Sequence, residues 1–240
     1  MKREEDPTGV EILLFLFAAV FLWDLWLGVH LDLSARRILI AEFDGLPLRA
    51  VERWLAGSGA IYAEADLAGF DVRTLLTAPF VHFGILHIVF NGYVLKDVGR
   101  EVEGLDGRAV LLLAFLSTAL VASIASVAWH VVLWGSPLMQ AGASGGICGI
   151  IGVLYRRAGR YLAGGAIRKQ IVRWMTMIVI FSLAVRGDNA AHLGGFAAGV
   201  FLEPLFFRLR VRKNERLAWS LVAALSVIPV SYAVMVVRAV

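Results

Sequence analysis

Seven apolar runs, separated by charged residues and turn formers, divide this chain: 10–28, 75–95, 109–133, 143–155, 171–185, 190–207 and 217–237. Most approach the roughly 17–25 residues that carry a helix across a bilayer core of about 30 Å. The first run is interrupted only by Asp24, near its end. The second contains Pro79, His82, His87 and Asn91. Proline lacks an N–H and pushes the residue before it toward extended chain, so this helix is expected to begin at residue 80 or later. Between the first two runs, residues 29–73 mix five arginines with seven acids. There Ala50-Val51-Glu52-Arg53-Trp54-Leu55 predicts short amphipathic helices lying at the interface. The pattern predicts an all-α, polytopic transmembrane helix bundle. Its expected organisation is an N-terminal stretch (1–9), a six-span core (10–207), a basic linker (208–216) and a seventh span (217–240), with no internal repeat, low-complexity tract or soluble domain.

Composition agrees with this class. Apolar residues make up 59% of the 240, against about 45–50% in soluble domains, and the mean hydropathy is +0.76. The net charge of +4 then reads as topology, and nucleic acid is not an expected partner. Cys148 is the single cysteine, which excludes an internal disulfide and a cysteine-based metal site. Of the 23 Lys and Arg residues, 16 fall in alternate connections: Lys2 and Arg3; Lys96, Arg100 and Arg108; six from Arg156 to Arg173; and five from Arg208 to Arg216. The positive-inside rule makes those connections cytoplasmic. The N-terminus is then inside, the C-terminus outside, and residues 29–73 outside. Acids at Glu4, Glu5 and Asp6, with no small-residue cleavage site, favour a retained first span over a removed signal peptide. With no organelle-targeting segment in view, a bacterial cytoplasmic membrane is the expected location.

In this topology spans two, four and six all enter from the outer face. They carry uncharged polar residues near those ends: His82, His87 and Asn91, then Ser144, then His192. Polar groups within a membrane are costly and face a bundle interior or a watery cavity, so these are expected to share one. Ser144 lies in Ala141-Gly142-Ala143-Ser144-Gly145-Gly146-Ile147-Cys148-Gly149, where small residues admit a neighbouring helix or a substrate backbone. A serine hydroxyl needs a base to become a nucleophile, and His192 is the available one. Gly145 and Gly149 form one GxxxG face and Gly195 and Gly199 another, which permits the close approach a Ser–His hydrogen bond requires. Asp188 lies a turn before His192 but at the membrane edge, so the prediction is a dyad. His87 and Asn91, at i and i+4, and the Ser144 backbone N–H are candidate oxyanion donors. Taken singly, each residue has a plainer reading: Ser144 as helix-packing glue, His192 as a core histidine, His87 and Asn91 as interhelical glue or a proton path. A metal site of His82, His87 and His192 lacks a carboxylate or thiolate to complete it. His30 and His130 are assigned to interfaces. It is the joint occurrence of all five polar positions in one leaflet that favours chemistry.

The three motifs Gly142-Ala143-Ser144-Gly145, His82-(x4)-His87-(x3)-Asn91 and Ala191-His192-Leu193-Gly194-Gly195 resemble those of rhomboid intramembrane serine proteases, in that family's order and on its second, fourth and sixth spans. The resemblance covers roughly residues 74–204. It implies Ser144 as nucleophile and His192 as general base and acid. His87, Asn91 and the Ser144 amide would form the oxyanion hole, and His82 would help order the first loop. It also implies a fifth span that acts as a lateral gate and single-span membrane proteins as substrates, with no cofactor. The seventh span resembles the "six plus one" form. Two departures stand out. Arg73-Thr74 occupies the place of the Trp-Arg common in the first loop. Cys148 occupies the place of an aromatic that often packs on the catalytic imidazole, which leaves open what holds His192. The competing readings are a rhomboid-like client-binding protein without activity, expected to lack the serine or histidine, and a small transporter, expected to show duplicated broken helices.

Overall fold

A computed structural model describes residues 7–42, 48–64, 67, 70–159, 164–184 and 187–239. Residues 1–6, 185–186 and Arg160, which entered the topology argument, lie outside them. The elements are α1 (Gly9–His30), α2 (Ala35–Ile40), α3 (Leu48–Ser58), β1 (Ile61–Ala63), α4 (Thr74–Thr77), a 3₁₀ turn (Ala78–Phe80) and α5 (Ile85–Asp106). There follow α6 (Arg108–Val127), continued as a π-helical turn to Leu133, then β2 (Leu138–Gln140), α7 (Ser144–Ala158), α8 (Gly164–Ala184), α9 (Asn189–Val211) and α10 (Glu215–Ala239). The fold is an all-α bundle, as the apolar pattern predicts.

The second span differs most from its predicted bounds. Pro79 sits at the start of the 3₁₀ turn, Val81 is extended, and Gly84 caps α5 with a φ of 88°. The short α4 and 3₁₀ turn therefore meet α5 at a 91° bend. The helix then runs past Leu95 to Asp106. Among the described residues four helices are long and apolar enough to cross a membrane, and a fifth if the bent pair counts as one span. This is an integral membrane protein. The two other predicted spans miss that standard for physical reasons: α7 has 15 residues, and α8 carries Arg168, Lys169 and Arg173 in its first turns.

Helices α5, α7 and α9 run parallel, because the same residues meet at each end. At one end His192 touches Ser144 and Gly142 abuts the His87 ring. At the other, Arg157 reaches both Asp106 and Glu203. Between these ends α7 and α9 are zipped by glycine in register. A Cβ on Gly195 would strike the Gly145 carbonyl, one on Gly199 the Gly149 carbonyl, and one on Gly152 the Phe196 carbonyl. The remaining faces bury a core in which Leu13, Phe17, Leu95, Phe115, Ile150 and Phe206 are almost wholly enclosed. At 1.5 Å per residue α7 is about 22 Å long, short of the ~30 Å hydrocarbon core. Against α9 it starts level with His192, one turn after that helix begins, and ends level with Glu203, two turns before that helix finishes.

Residues 29–42 and 48–64 lie at the Ser144 end of the bundle. As predicted, they include short helices, α2 and α3, with Trp54 buried and its Nε1 donating to the Asp24 carbonyl at 2.9 Å. The sequence reading did not foresee a strand. Here β1 pairs antiparallel with β2, Ile61 opposite Gln140 and Ala63 opposite Leu138. The pairing satisfies backbone groups of the loop that leads into Ser144. Arg73 grips Asp71 in a fork, Nε to Oδ1 at 2.9 Å and Nη2 to Oδ2 at 2.6 Å. That hydrogen-bonded guanidinium holds the Asp71 carboxyl below the usual carboxylate range. Arg73 also lies over the Tyr232 ring of α10 at 5.3 Å, and the Tyr232 hydroxyl donates to the Ala56 carbonyl. α10 therefore clasps α3 and the segment before α4, at the point where the Trp-Arg pair is missing.

Candidate active site

Ser144 is the first residue of α7 and His192 the fourth of α9. Each is placed by the turn before its helix. Gly142, at φ 121°, adopts a backbone conformation that side chains disfavour. Its N–H donates to the Ala78 carbonyl at 3.0 Å. A Cβ there would lie 2.6 Å from the His87 ring, so the position requires glycine twice over. On the other strand of the site, Asp188 caps α9 by accepting from the Ala191 N–H at 2.9 Å. Its Oδ2 takes the Ser126 hydroxyl, and His130 Nε2 stands 3.6 Å from Oδ1, the capping oxygen. His130, assigned to an interface by sequence, thus has a carboxylate neighbour. His30 stacks on Trp26, with ring centroids 4.0 Å apart.

These turns bring His192 Nε2 to 2.8 Å from Ser144 Oγ. For the hydroxyl to donate, Nε2 must be the unprotonated nitrogen and Nδ1 must carry the hydrogen. Nδ1 is buried and has no hydrogen-bond partner among the described residues. The Asp188 carboxylate is engaged by the helix cap and Ser126, and among the described residues no carboxylate hydrogen-bonds to Nδ1. No aromatic ring stacks on His192 among the described residues. Cys148 lies buried in the core one turn below Ser144. The His192 backbone is instead fixed by the glycine contacts on either side, Gly194 against Ala125 and Gly195 against Gly145.

The predicted donors are partly gathered. His87 sits against Gly142, and Asn91 is buried one turn along α5 with its Nδ2 donating to the His87 carbonyl at 3.0 Å. One Nδ2 hydrogen is used there and one is left. The backbone N–H groups of the first turn of α7 have no partner within the helix. His82 is fully buried, its Nδ1 3.1 Å from the Phe80 carbonyl, so Nδ1 carries the hydrogen. Its ring meets Phe17 and His87 at centroid distances of 5.0 and 5.2 Å. It packs the start of α5 onto α1. Among the described residues no group of three or more His, Cys, Asp and Glu side chains could hold a metal ion.

Sequence reasoning missed the opposite end of the same helices. Arg157 Nη1 lies 2.6 Å from Asp106 Oδ2 and its Nε 3.3 Å from Glu203 Oε1. Arg156 and Arg210 flank this group at 3.7 Å each. Arg157 was counted as a loop cation, yet it is 2% exposed. Burial between α5 and α9 is possible because two acids meet it there. Glu203, a lone acid inside an apolar helix, was the signal in the sequence, since such a charge calls for a partner.

Comparison with known proteins bears directly on these motifs. The Rhomboid domain model matches residues 69–209. Rhomboid protease GluP of Bacillus subtilis is 36% identical over 130 residues, which is 53% of this chain and 24% of GluP. Rhomboid-like protease 3 of Toxoplasma gondii is 28% identical over 154 residues, 63% of this chain and 57% of that protein. Putative rhomboid protease YdcA of B. subtilis is 28% identical over 148 residues, 59% and 69% of the two chains. The chain spans about a quarter of GluP and little over half of the T. gondii protein. The matched region runs from just before α4 to near the end of α9, and so takes in the bent second span, the glycine zipper and both members of the Ser–His pair: this chain belongs to the rhomboid family.

Proposed function

We propose that this protein is an intramembrane serine endopeptidase that cleaves single-span membrane proteins by a Ser144–His192 dyad. The observation that carries the reading is the 2.8 Å contact of His192 Nε2 with Ser144 Oγ at the start of α7. Its likeness to proteins named rhomboid proteases supports it. In this mechanism His192 Nε2 takes the hydroxyl proton as Oγ attacks the scissile carbonyl. The oxyanion that forms is met by the Ser144 N–H, Asn91 Nδ2 and His87, fixed donors in a site of low dielectric. His192 returns the proton to the leaving amine, and water then hydrolyses the acyl-enzyme by the reverse sequence. Gly142, Gly145, Gly195 and Gly199 set the approach of the two helices. His82 holds the start of α5, and Cys148 fills the space beneath Ser144.

The substrate is a transmembrane helix that enters laterally from the bilayer and unwinds locally, since a helical peptide bond is shielded by its own backbone. The core is six spans from α1 to α9, with α10 as a seventh. The N-terminus is cytoplasmic and the site opens to the extracytoplasmic side of a bacterial membrane, following the basic residues. Labelling of the purified protein with a fluorophosphonate probe tests the proposal. Labelling that disappears in both Ser144→Ala and His192→Ala is expected; a folded protein that takes no label would leave a client-binding role. Asn91→Ala is expected to slow cleavage by ~10²–10³-fold with little change in KM, the size of one lost oxyanion donor. An unchanged kcat would remove Asn91 from the hole.

A further inference from the structure

At the end of the bundle away from Ser144, an open cavity of about 320 Å³ lies between the end of α7, the start of α8 and the middle of α9. Tyr155, Arg156, Gly159, Arg168 and Val200 line it. A second cavity, of about 330 Å³, is lined by Val172, Met175, Thr176, Ile180, Leu193 and Phe196, among others, of α8 and α9. The two share no lining residue but lie end to end in the crevice between α8 and α9. Arg168 and Val172 are a turn apart on α8, as are Val200 and Phe196 on α9, and the Tyr155 and Phe196 rings meet at 5.5 Å.

The two halves differ in chemistry. The first is cationic and fixed. Arg168 Nε donates to the Tyr155 carbonyl at 3.2 Å, and its guanidinium lies 5.1 Å over the Tyr155 ring. Glycine at 159 makes room for it, because a Cβ there would collide with Nη2. Arg156 reaches Glu203 at 3.7 Å and keeps 43% of its side chain exposed. The first turn of α8 adds N–H groups unbonded within the helix and the positive end of its dipole. The first three turns of α8 carry Arg168, Lys169 and Arg173 and no acid. The second half is apolar. Along α8 the distance from Arg168 to Ile180 is about 18 Å, close to half of the ~30 Å hydrocarbon thickness. A basic mouth at the headgroup level with an apolar trough one leaflet deep matches a single amphipathic anion.

We propose that this crevice binds one anionic phospholipid, its phosphodiester on Arg156 and Arg168 and an acyl chain laid between α8 and α9. Basic pockets between helices at a membrane surface recognise such headgroups. Leu193, beside His192, lines the deep end, so the lipid fills the space between α8 and the helix that carries the imidazole.

Native mass spectrometry of the detergent-purified full chain, titrated with phosphatidylglycerol or phosphatidylcholine, tests the proposal through binding alone. One phosphatidylglycerol retained in preference to phosphatidylcholine is expected. Arg156→Gln with Arg168→Gln should weaken it roughly 30-fold, and Arg168→Gln alone, which leaves the Glu203 contact intact, roughly 5-fold, as for basic groups at a membrane surface. Arg212→Gln with Lys213→Gln removes the same charge from the same end, outside the crevice, and should change binding less than about 3-fold. Thr176→Trp, which blocks the apolar half without altering charge, should also weaken it. Equal binding of both lipids, or equal losses from the two double variants, would overturn the proposal. So would displacement by soluble glycerol phosphate at the concentration of the lipid, which would show an anion site with no use for the acyl chain.

Discussion

Ser144→Ala is expected to reduce cleavage of a single-span substrate in proteoliposomes by roughly 10⁵–10⁶-fold. His192→Ala should cost about as much, and the double variant no more than either single one. The reason is that the two groups perform one step. Without the imidazole the hydroxyl keeps its proton, and without the hydroxyl the imidazole has no nucleophile to activate. Their 2.8 Å contact, with Nδ1 lacking a carboxylate, leaves no third group to preserve part of the rate. What survives is the acceleration due to substrate binding and the oxyanion donors. Both variants should remain folded, because the glycine contacts that join α7 to α9 involve neither side chain. Robust cleavage by either single variant would refute the dyad, and losses that multiplied in the double variant would mean that the two residues act separately.

The second large effect lies at the other end of the same helices. Arg157→Met is expected to destabilise the protein by about 3–5 kcal/mol, measured by denaturant unfolding in detergent micelles. The substitution leaves the carboxyl groups of Asp106 and Glu203, both fully buried, with only Arg156 and Arg210 at 3.7 Å. A buried charge that loses its partner keeps its desolvation cost and loses the compensating attraction. The triple variant Arg157→Met, Asp106→Leu, Glu203→Leu should recover most of the loss, since a buried ionic cluster exchanged for apolar side chains is often neutral or stabilising. A loss below about 1 kcal/mol for the single variant would mean that water reaches the cluster and solvates it.

Much of this was legible in the sequence. The apolar runs marked the helices, and the Ser144, His192 and His87–Asn91 motifs marked the residues of the candidate site, which the fold brings to one end of α5, α7 and α9. Pro79 announced the break before α5. What escaped has a common cause: it depends on partners distant in sequence. The pairing of β1 with β2 joins two three-residue segments too short for any period to show. Arg157 resembles its solvated neighbours until Asp106 and Glu203 are brought beside it. The same holds for Arg73, whose partner Tyr232 lies 159 residues further along the chain, where the Trp-Arg pair is missing. The missing aromatic at Cys148 is answered by backbone, since glycine contacts hold His192 where a ring would otherwise pack.

The zipper between α7 and α9 gives the molecule an uneven mechanical strength. A pull on the C-terminus would extract helices in reverse order of the chain. α10, which shows most of its apolar surface to lipid, would come away at low force. α9 cannot follow in the same way. It is interdigitated with α7 through Gly195 and Gly199 and anchored at its base through Glu203, so these contacts must shear together before it moves. The steepest step of such an extraction falls there, and until it is passed the serine and the histidine stay in register.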